Sequence, residues 1–215
     1  YDKVKNHRII LYPGRGGSPA RRNCPEGNSE KAFANHLKDQ KGICFPHHAD
    51  WDFLGLPQEQ LVEICSGWEN HFHHHPSRTQ AFKQLLQGKI FGFLGNSDGH
   101  RAVPGHGGGL TGVYARELTR SSIFKALKKR RTIATTGQRV SIWLEVSGGI
   151  IGEKITLRKN PEIKIKISAV SDIKKVILYR NQESIIEEAI NGKRRYRNCF
   201  KEKELKKDKL YNYWV

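Results

Sequence analysis

The chain has no methionine, no Cys-x-x-Cys pair and no apolar run long enough to cross a bilayer. Each absence excludes something. Without such a run no transmembrane helix is expected. Without paired cysteines a zinc knuckle is not supported. The four cysteines, Cys24, Cys44, Cys65 and Cys199, are irregularly placed in a chain of 215 residues. A chain of that size does not need disulfide staples, so free and mostly buried thiols are expected. The opening segment Tyr1-Asp2-Lys3-Val4-Lys5 has no apolar region of the kind a signal peptide carries. With no initiator methionine, and with Leu210 to Val215 reading as a strand that lacks a closing turn, both ends are expected to be cuts from a longer protein.

Acidic residues are also scarce. Asp and Glu total 21 against 38 Lys and Arg, for a formal net charge of +17. The excess is spread over both halves and is densest from Lys193 to Lys209. A solvated basic face bears on solubility and association more than on fold. Its sharper reading is a surface that attracts phosphoesters, nucleic acid or anionic lipid. Disorder is excluded by the aromatic content, with four Trp, seven Tyr and nine Phe.

Short apolar runs punctuate the first part of the chain: Arg8 to Tyr12, Ile43 to Phe45, Leu61 to Cys65 and Ile90 to Leu94. Between them lie helix signals. Ser29 is placed to cap a helix over about 30–40 that Gly42 closes, residues 78–87 read as a helix closed by Gly88, and Thr119 caps a helix to about 130. Strands alternating with helices indicate a parallel sheet or an α/β barrel. The period changes after Gly137. Val140 to Val146 alternates, Gly148-Gly149 is a turn, and Ile163, Ile165 and Ile167 alternate with polar residues. Val176 to Tyr179 follows, with a turn at Arg180-Asn181-Gln182. The expected organisation is therefore an α/β unit over 1–138 and a small β-rich, sandwich-like unit over 139–215.

Two clusters of metal-binding residue types stand directly after predicted strands. Phe45-Pro46-His47-His48 follows one, and Asn96-Ser97-Asp98-Gly99-His100 follows another. In α/β barrels the residues just past the C-terminal strand ends face the active site, so the clusters are expected to converge. Imidazole nitrogen and carboxylate oxygen suit zinc, manganese or iron. In Asp98-x-His100 an extended backbone would put both side chains on one side, with Gly99 allowing a bend. Taken singly, the first cluster reads more readily as a hydrogen-bonded loop and the second as a turn.

The runs F-P-H-H, L-V-E-I-C-S-G-W-E and F-L-G-N-S-D-G-H resemble the later motifs of the PHP (polymerase and histidinol phosphatase) superfamily of metal-dependent hydrolases. The segment L-T-G-V-Y-A-R-E-L-T-R-S-S-I-F-K-A-L-K-K-R-R-T-I-A-T-T-G looks like a branch of that superfamily that includes carbaryl-hydrolase-like enzymes. The resemblance spans about residues 8–138. It implies the C-terminal part of a distorted PHP-type (β/α) barrel, with His47, Asp98 and His100 as metal ligands. His48, Glu69 and His106 are its candidates for substrate contact or support of the ligands. Arg130 and Arg131 are placed at a helix end. The H-x-H or H-x-D-x-H motif that opens such domains is missing. His71 to His75 lies between the later motifs and reads as a polar loop, so the resemblance puts the remaining ligands upstream of Tyr1. The implied activity is hydrolysis of a small phosphoester or related ester by metal-activated water. The alternatives are a basic nucleic-acid-binding protein, in which Tyr196 and Phe200 interleave with cations for base stacking, or a PHP relative that keeps the fold and serves as an interaction module.

Overall fold

The computed structural model describes residues 7–15, 17–21, 23–49, 51–67, 79–100, 103, 105–203, 205–206 and 208–215. The fold is mixed α/β and mostly sheet. The first half holds strands β1 (Arg8–Leu11), β2 (Ile43–Pro46), β3 (Leu61–Cys65), β4 (Gly92–Gly95), β5 (Leu110–Val113) and β6 (Thr132–Thr135). Its helices are α1 (Glu30–Asp39), α2 (Gln80–Leu86) and α3 (Arg120–Lys128). Ser29, Thr79 and Thr119 cap the three helices, each accepting from a backbone N–H three residues on. At the end of α1, Lys41 rather than Gly42 takes the left-handed conformation (φ 54°), while the Gly42 N–H returns to the Leu37 carbonyl.

The alternation of strands and helices predicts parallel neighbours, and the structure gives them only in part. β3 and β4 are parallel, whereas β1–β2 and β5–β6 are antiparallel. The reason for β1–β2 is local. Leu11 pairs with Ile43, and Tyr12, beside it, is hydrogen-bonded to the Ser18 carbonyl and His36 and packs against Gly42. The loop and α1 thus leave and return at the same end of the pair. Among the described residues no closed barrel forms. Small cores lie around Phe33 and Leu37, around Ile43, Phe45 and Leu61, and around Val62, Phe82 and Phe91.

The second half is one antiparallel sheet of β7 (Val140–Val146), β8 (Gly149–Ile150), β9 (Glu162–Arg180), β10 (Glu183–Lys201) and β11 (Tyr213–Trp214). Residues Val176 to Tyr179, read as a separate run, continue β9. An unbent strand of this length would span about 60 Å. Yet Glu202, whose N–H reaches the Pro161 carbonyl at one end of β9, bonds through its carboxylate to Arg180 at the other end, 3.1 Å away. The hairpin is therefore doubled back on itself. Its buried residues change from odd numbers (Ile163, Ile165, Ile167) to even ones (Val176, Leu178), as a bulge requires, and the ladder slips around Asn191-Gly192, both at positive φ. The buried residues of both arms of the hairpin share one core.

Candidate metal centre

Three strands deliver side chains to one place. β2 is buried at every residue and ends at Pro46, which has no N–H to continue a ladder. The chain then presents His47 and His48. β3 runs alongside through a parallel bridge between Cys44 and Glu59, and β4 is parallel to β3. Their C-terminal ends therefore lie on the same edge, where Glu63, Asn96 and Asp98 meet the histidines.

His47 is held from both sides. Its Nδ1 lies 3.3 Å from Glu63 Oε2 and its Nε2 3.2 Å from Asp98 Oδ1. His48 Nδ1 lies 3.4 Å from Glu63 Oε1. The donor atoms of His47, His48 and Glu63 all fall within 4.8 Å of one another. Two ligands of one metal, each about 2.1 Å from it, stand at most about 4.2 Å apart, so binding one ion would draw these atoms slightly closer. The two imidazoles stack at 4.3 Å, and Trp51 meets both edge-on.

The Glu63 side chain is fully buried. Asn96 donates to its Oε2, while Oε1 accepts no well-formed hydrogen bond. Burial pushes the Glu63 carboxyl above its usual range, opposed by the Asn96 hydrogen bond and His47. Burial works against charging His47, but Glu63 and Asp98 outweigh it and hold its pKa above the ordinary value. Asp98 and Nε2 of His47 offer the oxygen and nitrogen donors that suit a divalent cation, with Glu63 behind the ring.

The supporting loops are pinned. Buried Glu59 accepts from the N–H groups of Leu54 and Gly55 and pairs with Arg8 and Lys89 at 3.5 and 3.6 Å. The Ala49 carbonyl accepts from Ala81 at the start of α2. On the other side the glycine-rich loop lies directly on the Asp98 segment. A Cβ on Gly108 would stand 2.8 Å from Ser97 Cα, and Gly109 N–H donates to the Asn96 carbonyl.

Of the residues singled out in the sequence, His47, His48 and Asp98 come together. His100 is exposed, its Nδ1 3.1 Å from the Asp98 backbone carbonyl. Asp98 itself, not Gly99, has positive φ (47°), so the segment is not extended and the two side chains do not simply share a side. His106 is exposed in its loop. Glu69 and His71 to His75 lie outside the described residues. Glu63 was not singled out, although a carboxylate in the middle of the apolar run Leu-Val-Glu-Ile-Cys was the available signal, since a buried charge needs partners.

A family model described as Protein of unknown function (DUF3604) matches residues 68–161. That stretch includes Asp98 but not His47, His48 or Glu63. No curated protein matches the chain. A crystal structure from Bacteroides vulgatus, of a two-domain protein containing a predicted PHP-like metal-dependent phosphoesterase, is similar at a TM-score of 0.43 and 17% identity. The match covers 87% of this chain, which spans 61% of that structure's length.

Proposed function

We propose that this chain carries one side of the divalent-metal centre of a PHP-type hydrolase acting on a phosphoester or related ester. The observation that carries the reading is His47 set between two carboxylates, Nδ1 toward Glu63 and Nε2 toward Asp98. That is the arrangement in which a carboxylate behind an imidazole fixes its tautomer and raises its basicity toward a cation in front. His47, Asp98 and His100 are the proposed ligands of zinc, manganese or iron. Glu63 is the positioning residue, and His48 a further ligand or a substrate contact. Bound there, the metal would supply a water acidic enough to attack at neutral pH. Trp51 walls one side, and the basic chain favours an anionic substrate.

The motif resemblance supports the carbaryl-hydrolase-like branch, and the change from mixed α/β to antiparallel sheet supports a unit boundary near residue 138. Nucleic-acid stacking by Tyr196 and Phe200 is disfavoured. Tyr196 is buried and Phe200 packs against the Ile163–Leu178 core.

The test is metal binding by calorimetry with Mn²⁺ and Zn²⁺, alongside turnover of aryl phosphates and aryl esters. Asp98→Asn is expected to abolish both. Glu63→Gln should weaken metal binding by about 10–100-fold, the usual effect of losing a group behind a ligand. Unchanged affinity in Asp98→Asn would overturn the ligand assignment. Metal binding without turnover over a broad panel would leave the interaction module.

A further inference from the structure

The opposite end of β4 from Asp98 borders a half-open cavity of about 570 Å³, lined from β4, β6, β7, the segment around 149–161, Leu205, Lys206 and residues 208–215. Its size is that of a small-ligand site. The apolar wall includes Leu144, Val146, Ile155, Leu157 and Leu210. Ile155, Leu157 and Leu210 remain 38, 40 and 42% exposed, which is much open apolar surface for one place.

Charge is arranged around that wall on one side of neutrality. Arg130, Lys154, Arg158, Lys159, Lys206 and Lys209 line the cavity, against Glu153 and Asp208. Glu153 is already engaged by Arg131 at 3.0 Å and by the Ile150 N–H. Among the described residues none of the six cations has a carboxylate within ion-pair distance.

Arg130 stands out. It follows α3 in the left-handed conformation, φ 58°, with Arg130 N–H returning to Leu127 and Arg131 N–H to Ala126. Glycine is the default at that position, because a side chain there strains the backbone. The Arg130 side chain is half-buried, donates to Gln60 Oε1 and the Gly152 carbonyl, and meets no carboxylate. Burial lowers its pKa, so an anion brought beside it would relieve an unfavourable charge.

We propose that this cavity binds a single-chain anionic amphiphile, a long-chain carboxylate, with its headgroup at Arg130 and the neighbouring lysines and its alkyl chain along Leu144, Val146, Ile155 and Leu157. With Nε and Nη1 engaged by Gly152 and Gln60, Nη2 of Arg130 is left to donate a charge-assisted hydrogen bond to a carboxylate oxygen. A cavity of this volume lined by both apolar and cationic side chains fits one charged end on one chain better than a broad protein surface. The inference is independent of the metal reading, which concerns the other end of β4.

Calorimetric titration with decanoate, decyltrimethylammonium and acetate, each below any micellar concentration, tests it. Decanoate is expected to bind with one site. The cation of equal chain length should bind at least about tenfold more weakly, and acetate not measurably, since charge-assisted hydrogen bonds and chain burial each contribute at that scale. Leu157→Glu, at a half-exposed position, should keep the melting temperature and weaken decanoate at least about tenfold by placing a like charge and a polar group along the alkyl chain. Arg130→Gln should do the same. If that variant does not fold, Leu157→Glu and the ligand series decide. Equal affinity for the anion and the cation, no binding of decanoate, or unchanged affinity in Leu157→Glu overturns the proposal.

Discussion

Glu63 and Cys44 are both buried ionisable residues on neighbouring strands, and their surroundings treat them differently. Glu63 has Asn96, His47 and His48 around it. Cys44 is enclosed by the apolar cluster of Phe33 and Leu37, and burial, followed by the nearby Glu59 carboxylate, pushes its thiol up to about 12. The folded state therefore holds the Cys44 proton more tightly than the unfolded chain. The stability linked to it is present below pH 9, the ordinary thiol value, and is lost as pH rises from there toward 12. A thiol reagent at pH 8 should accordingly modify exposed Cys199 rapidly in the native protein and leave buried Cys44 and Cys65 until denaturant is added. Mass spectrometry of tryptic peptides checks this, and rapid native labelling of Cys44 would contradict the burial. The free-thiol expectation was legible from chain size, although only Cys44 and Cys65 are buried. The special place of Glu63 was not, because an apolar run is scored by its periodicity and the one charge in it is read as an interruption.

At the scale of elements, the helices were the most legible part. Their caps are hydroxyl side chains that bond the backbone locally, so Ser29 and Thr119 mark helix starts without tertiary information. Strand partners depend on where loops return, and there the sequence misleads: β1–β2 and β5–β6 are antiparallel despite intervening helices. β4 is joined to β5 and β6 by close approach. A Cβ on Gly95 would lie 2.6 Å from the Thr135 carbonyl and 2.7 Å from the Leu110 carbonyl, both backbone. Neither atom can rotate away. Gly95→Ala should thus cost about 1–3 kcal/mol, as overpacking does elsewhere. Gly14→Ala, where a Cβ meets nothing within 4 Å, is the control and should be close to neutral. Urea unfolding of the two variants measures the difference. Equal midpoints would show that β4 can move away from its neighbours without loss.

Across the whole molecule, β11 links the two halves. Tyr213 and Trp214 pair with Arg180 and Tyr179 of the doubled-back hairpin, and the Trp214 ring stacks on Tyr179 at 3.9 Å. The same indole packs against the core of Val62, Ala81 and Phe82 in the first half and donates to the Asn181 carbonyl. Asn212 adds a hydrogen bond to Leu85 of α2. Nothing in Leu210 to Val215 signals this role, since its partners in the first half lie more than a hundred residues away in the chain, and local pattern carries no such information. Removing the ring leaves a hole facing both halves, and truncating a buried Trp costs about 3–5 kcal/mol in packed cores. Trp214 is only partly buried, so the lower part of that range is expected. The form of unfolding is more telling than its cost. If the α/β part and the antiparallel sheet are separate units joined mainly here, Trp214→Ala should turn one thermal transition into two, because a cooperative transition requires coupling between units. Trp143 reports on β7 and Trp51 on the loop after β2, so fluorescence of each Trp kept singly distinguishes the halves during melting. Coincident transitions for both reporters in Trp214→Ala would mean that other contacts, such as Arg130 to Gly152 and Tyr114 to Ile142, suffice to hold the halves as one cooperative body.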